Sequence, residues 1–235
     1  MHPLLINAVI VNHNTSAFTE LALRSILARH RADLPLRLTV LDNASEDDTA
    51  PLRACAAAYG VPVVQTGFDT HTANNSHGEV LTRFVRDNPH CSHYLLLDTD
   101  ICFMEDDTVD TMLQELDAAK DAFAVCARFS WDGATEISVE EQQKNPDLYE
   151  TRMHPGCALI RNTPLFRRVV DAVGMSAIYY MWPHGGEYLD TCKLMTRVMG
   201  THGLRHVLSE RMVLHFFSVS YEWDHEALRL ESLYM

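Results

Sequence analysis

Positive charge is scarce in this chain. It sets 19 Lys and Arg against 32 Asp and Glu, a formal net charge of −13. That balance disfavours a general phosphate-coating role on DNA or RNA, although a local basic groove is compatible with it. No stretch reaches the ~18 consecutive apolar residues that span a bilayer as a helix. Near the start, Asn7, Asn12, His13 and Asn14 interrupt or end the apolar stretches. The first residues carry no Lys or Arg and do not read as a signal peptide. The six cysteines (Cys55, Cys91, Cys102, Cys126, Cys157 and Cys192) contain no CxxC pair. A disulfide framework and a zinc knuckle are therefore disfavoured, and reduced thiols in a cytoplasmic protein are expected. Internal repeats and a convincing linker are missing as well. What remains is ordinary for a globular protein, with 47% hydrophobic and 22% charged residues. At 235 residues one domain is expected.

The first half alternates strand and helix signals. Leu4–Asn12 is a continuous apolar run ending in polar residues, the pattern of a buried parallel strand. Thr15 or Ser16 can cap a helix whose apolar face is Leu21, Leu23, Ile26 and Leu27. Leu36–Leu41 reads as a second strand, Asn43–Asp48 as a turn into an Ala-rich helix ending near Gly60, and Val61–Gln65 as a third strand. Gly67–Asn75 reads as a polar loop and His77–Asp87 as helix. Tyr94–Leu97 is a fourth strand running into Asp98-Thr99-Asp100. Asp106 or Asp107 caps a helix to about Lys120, before a fifth strand, Phe123–Ala127. The second half is less regular. Ser130–Tyr149 reads as a surface excursion or flexible loop and Cys157–Ile160 as a strand. Thr163-Pro164 starts a helix that Gly174 ends. Glu187–Met199 reads as a helix closed by Gly200, and Met212–Phe217 as a last strand. This order predicts an α/β fold, a mostly parallel central sheet flanked by helices. Ligands bind such sheets at the carboxyl ends of the strands. That edge holds Asn12, Asp42, Thr66 and the Asp98/Asp100 pair.

Four constellations can carry chemistry. Asp98 and Asp100 sit two apart after an apolar strand, so their carboxylates converge on one side. Hard oxygen ligands there suit Mn2+ or Mg2+ with a nucleoside diphosphate; the bland alternative is a solvated turn. Asp42, in Leu41-Asp42-Asn43-Ala44-Ser45, is an acceptor for a base or ribose group, or an Asx turn with Ser45 as a cap. Glu187 and Asp190 follow Gly185-Gly186 and would share a face in a first helical turn. There they can act as a general base, or simply suit the helix dipole. His215, within an apolar strand, is a satisfied core histidine or a third metal ligand. Trp182 and Tyr179 could stack on a sugar face or pack in the core.

In this order the pieces resemble the GT-A glycosyltransferases, and the start resembles glycosyltransferase family 2. Val9-Ile10-Val11-Asn12-His13-Asn14 is similar to that family's opening strand, Leu41-Asp42-Asn43-Ala44-Ser45-Glu46-Asp47 to its V-D-N-x-S-x-D, and Tyr94–Asp100 to its strand with DxD. Gly186–Cys192 is similar to its E-D-x-D-L-C segment and to the G-G-E-x-x-D/E run of animal galactosyltransferases. The resemblance covers about residues 6 to 218. It implies a single GT-A domain over 1–235, with a nucleotide-sugar half (1–103) and an acceptor half (104–235). It implies a metal-dependent transfer of sugar from a nucleotide-diphosphate sugar, UDP by default, to a hydroxyl acceptor. Asn12 and Asp42 would line the base and ribose pocket, with Asp42 on the base. Asp98 would meet the ribose or the metal's waters, Asp100 the metal, and His215 would be the last ligand. His77-Gly78 and His154-Pro155-Gly156 would flank the cleft, His77 near diphosphate or sugar. One departure stands out: Tyr188 occupies the usual base position, and a phenol is a poor base at neutral pH. The expectation is inversion, with Asp190 or Glu187 as base. Two rivals remain. A degenerate nucleotide-sugar-binding domain is suggested by Tyr188. A nucleotidyltransferase is disfavoured, because the Asn12–Ser16 loop has no glycine to cradle a triphosphate.

Overall fold

Ile6–Asn12 forms β1, buried along its whole length. Its alternate side chains serve opposite faces, as a strand requires. Ile6, Ala8 and Ile10 join one apolar cluster, whereas Val9 and Val11 join another. This computed structural model describes residues 3–67, 76–217 and 219. Most of the expected loop Gly67–Asn75 lies outside them, as does the side chain of Trp182.

After β1 come α1 (Ser16–Arg29), β2 (Leu36–Asp42), α2 (Ala50–Ala58), β3 (Val63–Gln65), α3 (Ser76–Asp87), β4 (His93–Leu97), β5 (Ile101–Phe103), α4 (Thr108–Ala118) and β6 (Ala122–Ser130). The second half adds α5 (Val139–Lys144), a 3-10 turn (Pro146–Leu148), β7 (Cys157–Arg161), α6 (Pro164–Val173), β8 (Ile178–Trp182), β9 (Gly185–Leu189), α7 (Lys193–Thr201) and β10 (Arg205–His215). One sheet carries the order β3-β2-β1-β4-β7-β6-β10-β5, and β8 pairs with β9 in a separate hairpin. Its β3-β2, β2-β1, β1-β4 and β6-β10 pairs are parallel. The β4-β7, β7-β6 and β10-β5 pairs are antiparallel. Helices α1, α2 and α4 cover one face through Leu23, Leu52 and Met112. Helices α3, α6 and α7 cover the other through Leu81, Phe166 and Met195. Among the described residues no helix is long and apolar enough to cross a membrane.

Several expectations need correction. Glu187–Met199 is not one helix. Gly185 holds a φ of +142°, and Gly186 lies beneath the Tyr179 ring, so the chain turns back as a hairpin. Cys192 then takes a left-handed φ of +67°, and α7 starts only at Lys193. Glu187 is therefore a strand residue and shares no helical turn with Asp190. The last strand begins at Arg205, not Met212, because its half-buried first part looks polar in sequence. The short β5, immediately after Asp98-Thr99-Asp100, was unmarked. Ser130–Tyr149 contains α5 and buries Ile137, Leu148 and Tyr149, so it is an ordered excursion. Thr163 caps α6 as expected, its Oγ accepting from the Phe166 amide, and Gly174 follows at φ +68°. Thr15 and Asp107 stand at N-cap positions without side-chain caps. Ser45 caps no helix either, since α2 begins at Ala50.

Candidate metal and nucleotide site

Asp98 and Asp100 lie in the turn between β4 and β5. The Asp98 amide donates to Gly156 O at 2.9 Å, tying this turn to the start of β7. The β5-β10 pairing aligns His215 with Ile101, and the Phe216 amide donates to Asp100 O at 2.8 Å. Thus the last strand delivers its histidine to the fourth strand's acidic end. Ligand atoms of Asp98, Asp100 and His215 all lie within 4.8 Å of one another. His215 Nε2 is 3.8 Å from Asp100 Oδ1. It is buried and, among the described residues, has no hydrogen-bond partner. An orphaned buried ring nitrogen facing two carboxylates is a costly arrangement for a structural core histidine. A divalent cation would resolve it, and two oxygens with one imidazole suit Mn2+. Residues present and implied metal therefore fit. In the ring as it stands, Nδ1 accepts from the Phe217 amide at 2.9 Å. Ligation through Nε2 would place the ring proton on Nδ1 and require that amide to give up this contact.

The electrostatics point the same way. Burial pushes the Asp100 carboxyl up to about 6. Burial, and then the charge of Asp100, push Asp98 up, while His77 opposes both. Burial lowers His215 to about 4. Two carboxyls reluctant to ionise beside one imidazole reluctant to protonate are groups whose ligating forms a cation would favour. His77 Nε2 is 3.8 Å from Asp98 Oδ1, at the start of α3. His154 is buried against Phe129 and near the His215 ring, and its Nδ1 accepts from the Gly156 amide. Burial and the Arg152 charge hold it well below an ordinary histidine, so it stays neutral.

The second cluster occupies the carboxyl ends of β1, β2 and β3. Asn12 is fully buried, and both ends of its amide are used. Its Nδ2 donates to Ser16 Oγ at 3.0 Å and Ser45 Oγ at 2.9 Å, sharing one proton with Asp42 Oδ1 at 3.4 Å, and its Oδ1 accepts from Thr15 and Thr19 hydroxyls. Asp42, 1% exposed, accepts from Arg53 at 2.8 Å and Gln65 Nε2 at 2.6 Å on Oδ2. On Oδ1 it accepts from the Ser45 amide at 3.3 Å and from Asn12 at 3.4 Å. Both readings of the motif are thus partly visible: the Asx turn exists, at the expected edge. Thr66 joins Asn43 through a 2.6 Å hydrogen bond. Asp47 serves the α1 N-terminus from across the turn, accepting from the Ser16 amide and hydroxyl.

The third group surrounds the hairpin. Glu187 forms a two-pronged ion pair with Arg197 of α7, and both side chains are substantially exposed. Asp190 follows β9, accepting from the Thr191 amide and pairing with Arg152 at 2.9 Å. Arg152 is 7% exposed and also donates to the carbonyls of Thr191 and Asp147. Its charge reaches Asp98 too, so Asp190 and the Asp98 turn share one buried guanidinium. Tyr188 and Tyr179 project from the hairpin, more than half exposed. Sequence reasoning missed Arg152, Arg53 and Gln65. The only signal for Arg152 was its neighbourhood, two residues before the His154-Pro155-Gly156 run.

Solved structures share this fold. The mannosyltransferase PcManGT from Pyrobaculum calidifontis, in complex with GDP-Man and Mn2+, aligns at a TM-score of 0.59 and 16% identity. The match covers 89% of this chain and 56% of that one. The chain has the GT-A fold. Glucosyl-3-phosphoglycerate synthase from Mycobacterium tuberculosis, in complex with Mn2+, UDP and phosphoglyceric acid, aligns at 0.56 with 18% identity, over 90% and 70% of the two chains. Residues 1–349 of TarS from S. aureus align at 0.54 with 12% identity, over 90% and 58%. The GT-A chain described here therefore spans little more than half the length of the mannosyltransferase. No protein-family model matches its sequence, and no curated protein matches it.

Proposed function

We propose that this GT-A protein is a metal-dependent glycosyltransferase. It moves sugar from a nucleotide-diphosphate sugar, UDP-sugar in the first instance, to a hydroxyl acceptor with inversion. The observation that carries the reading is the orphaned, buried His215 Nε2 facing Asp98 and Asp100. Those three residues would hold Mn2+ or Mg2+. When bound, the cation supplies charge neutralisation for the departing diphosphate. The chain's own groups do the rest. Asn12, Asp42 and Thr66 form the floor under the base and ribose, and His77 stands beside Asp98 on the diphosphate side. Asp190 is the base preferred over Glu187, because a guanidinium meets only one of its oxygens, against both in Glu187, and that guanidinium, Arg152, is the one whose charge also reaches Asp98. The acceptor hydroxyl gives its proton to Asp190 as its oxygen bonds to the anomeric carbon. The bond from that carbon to the diphosphate breaks, and the electron pair leaves with the nucleotide. Residues 1–103 serve the donor and 104–235 the acceptor. The mannosyltransferase and the synthase, solved with GDP-Man and with UDP, support the donor class. Six free, buried thiols support a cytoplasmic setting.

Thermal denaturation with nucleoside diphosphates, with and without Mn2+, tests the reading. A ligand at a hundredfold excess over its Kd adds ~2.7 kcal/mol, a rise of about 5–10 °C for a chain this size. We expect a Mn2+-dependent rise that disappears in Asp100→Ala. No rise with any nucleotide would sink the proposal. Tyr188 at the usual base position, with Glu187 and Asp190 both in ion pairs, favours a second reading: a sugar-nucleotide-binding domain without turnover. Release of nucleoside diphosphate from a sugar donor separates the two.

A further inference from the structure

Asp42 has little acceptor capacity to spare. A carboxylate offers about four lone-pair sites: Arg53, Gln65 and the Ser45 amide meet three, and Asn12 crowds the fourth through a shared proton at 3.4 Å. It is also 1% exposed, buried beneath the groups that bond it. A nucleobase could touch it only by displacing one of them. Asn12 is held at the end of β1 and Ser45 in the loop after β2, against each other. Gln65 and Arg53 are the outer pair: Gln65 is exposed at the end of β3, and the Arg53 side chain is 41% exposed. The Gln65 amide has a fixed orientation, because only its NH2 end can approach a carboxylate at 2.6 Å. Its Oε1 therefore turns away from Asp42, and among the described residues it accepts no hydrogen bond.

From this arrangement we infer that Gln65, not Asp42, reads the base, and that Asp42 is its positioning residue. This rests on the nucleotide-binding reading above and names the edge that the site selects. A fixed, unmet carbonyl oxygen calls for an N–H donor. The Arg53 guanidinium beside it suits a carbonyl oxygen. An N–H flanked by a carbonyl is the imide edge of uracil or the corresponding edge of guanine. Cytosine and adenine present a bare ring nitrogen there. The site thus discriminates by ring N–H, and the wrong base leaves the Gln65 oxygen unpaired, which costs more than a merely missing contact.

The experiment measures Kd for UDP, CDP, GDP and ADP in manganese chloride, by calorimetry, on wild type and Gln65→Met. Methionine keeps the stem that covers Asp42 but supplies no oxygen acceptor. Wild type should favour UDP over CDP, or GDP over ADP, by about tenfold or more, the equivalent of one hydrogen bond to a buried-edge group. In Gln65→Met that ratio should fall to within twofold of unity, because UDP or GDP loses its contact and CDP or ADP is relieved of the unpaired oxygen and binds no more weakly than to wild type, which also certifies folding. A ratio unchanged in Gln65→Met would overturn the inference and return the base contact to Asp42. No preference within either pair in wild type would overturn it too, with the donor reading left standing. Absence of binding by all four nucleotides would instead remove the donor reading on which it rests.

Discussion

At the scale of single residues, the candidate site divides into groups that sequence spacing exposes and groups that only folding brings in. Asp98 and Asp100 could be chosen because an apolar strand runs straight into them. His215 could be chosen because it interrupts an apolar strand late in the chain. Arg152 offers no such pattern: its partners Asp190 and Thr191 lie almost forty residues away in sequence. Gln65 looks like any polar strand end until β2 and β3 pair it with Asp42. Long-range pairing between polar groups leaves no periodic trace. Arg152 nevertheless has large consequences. Three partners are met at 2.8 to 3.0 Å from one buried fork. Removing one member of a buried ion pair costs about 3–5 kcal/mol, and the one-third exposure of Asp190 reduces this to about 2–3. We expect that loss for Arg152→Ala in urea denaturation. Arg152→Lys should recover less than half of it, since one ammonium cannot reproduce a three-partner fork. A variant as stable as wild type would show that Arg152 is not the strut joining Asp190 to the core.

At the scale of elements, burial decided what could be read. The strands β1 and β4 are buried, mostly apolar runs because helices cover both sheet faces, whereas β2 alternates, and all three stand close to where the sequence put them. The hairpin β8-β9 was hidden because it covers no core. Its residues Tyr179, Tyr180, Met181 and Tyr188 are exposed, so no alternation marks them. Packing of helices hides similarly in glycines. Gly78, in the first turn of α3, sits so close to the segment before β8 that an added Cβ would fall 2.4 Å from Ser176 Cα. The neighbour is backbone, which cannot rotate away. Thr82 reinforces the joint, donating to Gly78 O and accepting from the Met175 amide. Gly78→Ala should therefore destabilise by about 1–3 kcal/mol, as overpacking does. Gly200, inside α7, meets nothing within 4 Å. Gly200→Ala should add about 0.5–1 kcal/mol through the helix preference for alanine. Midpoints of urea unfolding for the two variants should move in opposite directions. Equal shifts would mean that the α3 joint is looser than its contacts indicate.

At the scale of the whole molecule, the sheet closes only when the last strand slots between β6 and β5, and that step buries His206 as well as placing His215. His206 Nε2 bonds Tyr149 O at 2.7 Å, joining β10 to the excursion after β6. Burial lowers its proton affinity, and the Arg205 charge adds to that, although the Tyr149 carbonyl works against them. Burial lowers His93 at the start of β4 in the same way, with Arg161 adding and Asp117 opposing. The sign follows from linkage. Below pH 6.5 the unfolded chain protonates these imidazoles, while the folded chain leaves them neutral until a lower pH. The unfolded state then binds more protons, so stability falls as pH drops through 6.5 toward the folded values. Each histidine can contribute a slope of up to about 1.4 kcal/mol per pH unit in that window. The acidic turn, whose carboxyls are pushed up, has the opposite dependence, so the absolute profile mixes both. A difference between variants isolates one group. His206→Gln keeps a donor for Tyr149 O and cannot titrate. Between pH 7.5 and 5.0 the stability of wild type should fall more steeply than that of His206→Gln, and the two curves should run parallel above pH 7. Parallel curves throughout would place His206 in contact with solvent and the β10 closure ahead of it open.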